Sequence, residues 1–202
     1  MKKIVAVILL TLCFLSAKAE LRWGPVVGTD MSSFFWKQNL TDTHARLGFN
    51  AGVMSEIMIP GIGFGVDFAL RYNQHSASVN FGEREVWSVD GFRKENVTVH
   101  ALQIPVNLRF KWTRLEGLEQ YIAPFAYAGP VISFTLGTSC KKIIEHPEAC
   151  FGVQVGGGVE LFEHWQLSGG YYWGVSYEIR TIKLDNFSAR PQGWNINVAY
   201  LF

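Results

Sequence analysis

The sequence predicts an all-β protein, an eight-stranded antiparallel up-and-down transmembrane β-barrel that follows a cleaved signal peptide. Three observations carry this expectation. A short leader opens the chain, residues alternate apolar and polar over eight segments, and long and short connections fall in strict alternation. Composition agrees. The 202 residues are 49% hydrophobic, 14% aromatic and only 17% charged, with 20 glycines. That balance excludes disordered segments, coiled coils and basic nucleic-acid binders, which are richer in charge or poorer in aromatics.

The leader comes first. Met1-Lys2-Lys3 is a basic start, residues 4–15 form an apolar run, and Ala17-Lys18-Ala19 is a small-residue cleavage site. The run is too short to cross a bilayer as a helix and has signal-peptide length. Leu12 before Cys13 is too bulky for a lipoprotein site. The expected division is therefore a signal peptide over 1–19 and one barrel domain over 20–202. Cleavage removes three lysines and no acid, which turns the formal charge of +1 into −2. Two cysteines then remain, Cys140 and Cys150, in an exported chain. Oxidising surroundings favour a disulfide between them, closing a short loop worth about 3 kcal/mol in the chain-entropy model.

Each strand is justified by period-2 alternation, which puts one apolar and one polar face on an extended segment. The last strand is the clearest, with Trp194, Ile196, Val198, Tyr200 and Phe202 opposite Asn195, Asn197 and Ala199. Before it, Trp165, Leu167, Tyr171 and Trp173 oppose Gln166, Ser168, Gly170 and Gly174, and Phe151, Val153, Val155 and Val159 oppose Gly152, Gln154, Gly156 and Gly158. Leu102 to Trp112 and Ile62 to Tyr72 alternate in the same way, the first carrying Gln103, Asn107, Arg109 and Lys111 on its polar face. Residues 20–32, 44–58 and 121–136 complete the eight. The last of these is uncharged, but Pro124, Gly129 and Pro130 disqualify it as a spanning helix. Pro105 within the fourth strand is expected to mark a bulge.

Connections after strands two, four and six are short. Those after strands one, three, five and seven are long, at about 34–43, 73–97, 137–150 and 178–192. Outer-membrane barrels have this asymmetry. The polar face is made of Gly, Ser, Asn and Gln with isolated charges, which suits a narrow lumen better than a solvated exterior. Trp23, Trp112, Tyr121, Trp165, Trp173, Tyr177, Trp194, Tyr200 and Phe202 mark strand ends, as interfacial girdles do. On this parity Arg22, Arg46, Glu56, Asp67, Arg71, Arg109, Lys111 and Glu160 all point inward. Charges in a tight lumen must pair, so a structural network is expected.

At this point the chain resembles the PorT-like small outer-membrane β-barrel proteins of Bacteroidetes. The likeness rests on the leader, the opening strand Trp23-Gly24-Pro25-Val26-Val27-Gly28, and the fourth strand Leu102-Gln103-Ile104-Pro105-Val106-Asn107-Leu108. It rests also on the ending at Phe202 with Tyr200, Val198, Ile196 and Trp194, which is similar to the signal read by the barrel-assembly machinery. The resemblance implies an outer-membrane barrel and no particular activity, and it carries over no catalytic residues.

The residues point to no catalytic, cofactor or metal site. His44, His75 and His100 could approach the outer rim, with Ser76 beside His75, but no nucleophile or metal spacing accompanies them. Gly156-Gly157-Gly158 lies in a strand with no helix after it, so it does not read as a phosphate loop. The expected function is a non-enzymatic integral outer-membrane barrel that contacts a surface or partner protein through external loops, with membrane lipid around it and no nucleic acid. A component of a secretion or envelope-assembly complex is one alternative, and a lipid A-modifying enzyme another. The architecture predicts heat-modifiable migration in an outer-membrane fraction on electrophoresis; recovery of the chain as soluble periplasmic protein would contradict it.

Overall fold

The computed structural model describes residues 20–36, 43–59, 62–80, 94–112, 117–139, 144–145, 149–177, 179–181 and 188–202. The leader, Cys140 and His146 lie outside the described residues, as do most of the charged residues of the longest connection. Eight strands form the wall: β1 (Glu20–Trp36), β2 (Thr43–Met58), β3 (Phe64–Asn80), β4 (Lys94–Lys111), β5 (Ile122–Thr138), β6 (Ala149–Leu161), β7 (Trp165–Gly174) and β8 (Ser188–Tyr200). Each pairs antiparallel with its chain neighbours, and β1 pairs with β8 to close the cylinder. Two short strands, Ile144–Glu145 and Ile179–Thr181, extend the sheet from the upper end of β8.

The stagger of the barrel can be read from its register. Starting at Leu21, direct partners run through Ile57, Val66, Leu108, Ala128, Val155, Tyr171 and Trp194, and return to β1 at Met31, ten residues further along. A stagger of this kind obliges the strands to tilt by about 35–45°. Each residue then covers roughly 2.5 Å of depth, so the outward row from Trp194 to Phe202 crosses about 20 Å, most of the roughly 25 Å of an outer-membrane apolar band.

The faces follow the alternation. Leu21, Trp23, Val27 and Met31 of β1 are exposed outward, as are Phe64, Val66, Phe68 and Leu70 of β3 and Trp194, Ile196 and Val198 of β8. Aromatic rings gather at the short-turn end, with Trp23 against Phe202 at 5.6 Å, Trp165 against Tyr200 at 5.0 Å and Phe110 against Trp112 at 4.8 Å. Trp194 stacks edge-on to Tyr171 at 4.9 Å nearer the other end. Inside, small and large residues alternate round the wall. A Cβ on Gly156 would lie 2.5 Å from the Tyr127 ring, and one on Gly158 would lie 2.7 Å from the Phe125 ring. The three-glycine run of β6 is therefore the space that two β5 aromatics occupy.

Strand bounds differ from expectation at the long-loop end. β1 continues to Trp36, β3 to Asn80, and β4 and β8 begin earlier, at Lys94 and Ser188. Much of the connection expected over 73–97 is thus paired strand. Once a strand rises above the bilayer the residues on its outward parity become polar, here Gln74 and the buried Ser76 and Ser78, and apolar–polar alternation no longer marks it. Pro105 does not create a bulge. The β4 register is the same on both sides of it. The irregularities lie between Ala45 and Phe49 of β2 and between His100 and Ala101 of β4.

The turn joining β6 to β7 is tight. Phe162 and Glu163 take φ of 52° and 63°, and His164 N–H donates to Leu161 O at 3.3 Å. Left-handed central residues match the twist of a hairpin.

Replacing Gly156 with Val forces a side chain into the Tyr127 ring and the Gly169 carbonyl, and should lower unfolding stability in lipid by about 2 kcal/mol or more. Gly169→Ala, whose Cβ would meet nothing closer than Asn195 O at 3.7 Å, should change it by less than about 0.5 kcal/mol. Urea titration of both variants checks the contrast.

Candidate functional site: the lumenal plug and the outer rim

The register brings charges from distant parts of the chain to one level near the short-turn end. Arg22 stands directly opposite Glu56, and Glu56 opposite Asp67. Glu160 stands opposite Gln166. Arg109 is opposite Gly65, where a Cβ would run into Met58 Sδ.

Glu56 is fully buried and is the hub. Its Oε1 accepts from Arg22 and from Lys111 Nζ at 3.1 Å, and its Oε2 accepts from Arg109 Nη1 at 2.5 Å and Gln166 Nε2 at 2.7 Å. Glu160 accepts from Arg22 Nη2 at 2.9 Å, Lys111 Nζ at 2.7 Å and Gln166 Nε2 at 2.7 Å. Arg22 also donates to the Glu163 carbonyl at 2.6 Å, which ties the network to the β6–β7 turn. Arg109 lies 4.2 Å above the Phe125 ring and donates its Nε to Asp67 at 2.8 Å. A chain of side chains then climbs the lumen. Asn107 donates to Asp67 at 2.6 Å, Gln154 to Asn107 at 2.8 Å, and Arg71 to Gln154 at 3.4 Å.

Among the described residues, four lumenal cations (Arg22, Arg71, Arg109, Lys111) face four lumenal carboxylates (Asp30, Glu56, Asp67, Glu160). The interior is neutral within itself, which a narrow barrel requires because an uncompensated buried charge costs several kcal/mol. Above the plug lies a cavity of about 40 Å³, bordered by Asp67, Arg71, Asn107, Tyr127, Gln154 and Asn197 among others. That is room for a few waters, not for a solute path.

Arg22, Glu56, Asp67, Arg109, Lys111 and Glu160 thus meet in one network, and Arg71 joins through amides. Arg46 is placed differently from expectation. It is exposed, with its Nη1 2.5 Å from Asn96 Oδ1, because the β2 irregularity next to it shifts the parity of that end of the strand. Asp30 belongs to the lumen as well, accepting from Asn50 Nδ2 at 2.7 Å. Its even position in β1, in phase with Arg22, was the signal for it. Gln166, Gln103 and Gln154, which complete the polar contacts, sit on the predicted inward faces but carry no charge to draw attention.

The upper lumen differs in kind. Phe34, Ala77, Val79, Val97, Val99, Ala101 and Ala189 are buried there, an apolar layer that, Val99 and Ala101 apart, lies in segments expected to be loop. His75 is buried in the lumen, with its Nε2 3.0 Å from Gln103 Nε2 and its ring stacked at 6.0 Å on Tyr172. Ser76, next in sequence, points the other way and shares a 3.3 Å hydrogen bond with Thr98. His44 is exposed, and His100 pairs with Tyr72 Oη at 2.6 Å on the outer face. These residues do not converge. Cys150 is buried, its Sγ donating to Tyr177 O at 3.4 Å. Trp194, Ile196, Val198 and Phe202 of the C-terminal segment face outward, with Tyr200 half-buried among neighbouring rings.

Replacing Glu56 with Leu removes the acceptor shared by three cations. The expected loss is about 3–5 kcal/mol of stability in lipid, read from urea unfolding, whereas Arg46→Gln should shift it by less than about 0.5 kcal/mol.

Comparison with known proteins agrees with the architecture. No curated protein matches the chain. Among solved structures, the outer membrane protein OprG from Pseudomonas aeruginosa is 14% identical over 91% of this chain and 95% of its own, with a TM-score of 0.50. The outer membrane enzyme PagL is 9% identical over 86% and 97%, at 0.48. Ail of Yersinia pestis, solved with the heparin analogue sucrose octasulfate, is 10% identical over 91% and 99%, at 0.44. The likeness to the first of these concerns the fold alone. The family model described as the outer membrane protein beta-barrel domain matches residues 16–180, and the chain belongs to that family, as an integral barrel of the outer membrane.

Proposed function

We propose that this barrel is a closed, non-enzymatic scaffold that makes contact with a surface or a partner protein through its outer rim. The observation that carries the reading is the filled, charge-balanced lumen. A network joining six charged side chains blocks the short-turn end, and the cavity above it is about 40 Å³. Such an interior holds a wall rigid and offers no route for solutes. The second support is the wall itself. β1 to β5 are 16–18 residues long, against 10–13 for β6 to β8. A strand of about ten residues already crosses the membrane. The extra length raises a one-sided palisade above the bilayer, where polar residues such as Gln74, Thr98 and Arg46 face out.

An enzymatic reading gains nothing from the rim, because His75 and Ser76 point to opposite faces and His44 stands apart. The narrower kinship to PorT-like barrels rests on the motifs of the opening and fourth strands, and with it a role in a secretion or envelope-assembly complex. We also assign Trp194, Ile196, Val198, Tyr200 and Phe202 as the segment read by the barrel-assembly machinery.

In planar bilayers the wild-type protein should give no stable conductance, and stable, large, ion-selective steps would overturn the closed-scaffold reading. Photocrosslinking from position 74 or 98 in intact cells should capture an external surface component or a partner. Capture of secretion or assembly proteins alone favours the second role, and no specific product from either position argues against rim contact.

A further inference from the structure

The outward face of the barrel is lined mostly with bulky side chains, and small residues such as Ala126, Ala128, Gly157 and Gly169 interrupt it. Gly157 of β6 pairs directly with Gly169 of β7, and both face the membrane. Their pairing leaves an open concavity of about 640 Å³ in the upper part of the apolar band, bordered by Val155, Tyr171, Trp173 and Trp194. The aromatic walls are fixed by mutual contact, with Tyr171 4.4 Å from Trp173 and 4.9 Å from Trp194. A convex barrel wall meets lipid tails as a smooth surface, whereas a walled recess holds one tail along its length.

A second observation lies at the top of the same column. Going up β8 from Ile196, the partner of Gly169, the outward positions are Trp194, Gln192 and Arg190. Arg190 is exposed, its guanidinium lies 4.8 Å above the Tyr177 ring, and its Nη2 is 3.5 Å from the Tyr177 hydroxyl. Among the described residues no carboxylate lies within ion-pair distance of it. Six residues of tilted strand separate Arg190 from Ile196, a depth of about 15 Å, which carries Arg190 above the Trp194 end of the apolar band. A cation at that height meets lipid phosphates, and a chain hanging from such a phosphate reaches the recess.

We propose that this face binds one phosphorylated acyl lipid of the outer leaflet, with a chain in the Gly157–Gly169 recess and its phosphate on Arg190. The recess supplies shape and dispersion contact, and Arg190 supplies the charge selection.

The test uses the full mature barrel in phosphatidylcholine nanodiscs doped with diphosphoryl lipid A or with its dephosphorylated form. Lipid retained after detergent exchange is counted by native mass spectrometry, with heat-modifiable migration as the folding control. Gly169→Leu fills the recess at a position where a Cβ has ordinary room, and should lower retention of both lipids by about fivefold or more. Arg190→Gln should lower retention of the diphosphoryl form alone. Equal retention by wild type and Gly169→Leu overturns the proposal, as does an equal loss of both lipids in Arg190→Gln. So does a Gly169→Leu variant that dissolves a dimer while keeping its lipid, which would make a second copy the occupant. A measurement on the wild type alone guards against misfolded variants: lipid A brominated at mid-chain should quench tryptophan fluorescence more than phosphatidylcholine of equal bromine content, and equal quenching refutes the site.

Discussion

Backbone hydrogen bonding without water is the constraint on which this structure depends. Lipid offers no partner for an N–H or C=O group, so a sheet in the membrane has to close on itself. Here closure is the pairing of β1 with β8, from Val26 with Ala199 up to Trp36 with Ala189. Eight strands and a ten-residue stagger then leave an interior that side chains can fill. The large residues Phe125 and Tyr127 of β5 fit only because β6 presents Gly158 and Gly156 to them.

Filling that space with charge brings a second constraint. A carboxylate or guanidinium removed from water needs compensation at close range, and well-made buried networks roughly balance their own desolvation. The plug meets this by sharing. Glu56 and Glu160 each receive Arg22, Lys111 and Gln166, so the loss of one member strands several others. The plug is also joined to the wall at the β6–β7 turn through the Glu163 carbonyl. The lower lumen is thus ionic, the middle is amide-lined and holds the cavity, and the upper lumen is apolar. The outward face inverts this order, apolar across the bilayer and polar above it.

Legibility in the sequence follows the same physics. Where one face meets lipid and the other a polar lumen, alternation is strong, and β8 with its Trp194 to Phe202 row could be placed without coordinates. The inward positions of Glu56, Asp67, Arg109, Lys111 and Glu160 come from that parity alone. Above the bilayer the contrast inverts, with Val79 and Val97 inside and Ser78 and Thr98 outside, in a stretch with no long apolar run. The extensions of β3 and β4 were illegible for that reason. Arg46 was misplaced because an irregularity of β2 shifts parity without leaving a mark such as Gly or Pro that is distinctive in this glycine-rich chain.

By itself, then, the sequence determined the number of strands and, across the membrane-spanning stretch, which side chains face inward, because both are set by a period of two. Only the tertiary structure decided which charges meet. Arg22 and Glu160 are 138 residues apart and touch because the stagger of the closed barrel brings β1 and β6 to the same level across a narrow lumen. The same closure sets Gly157 beside Gly169 and both below Arg190, a grouping that no local pattern encodes, since it depends on the register of three strands at once.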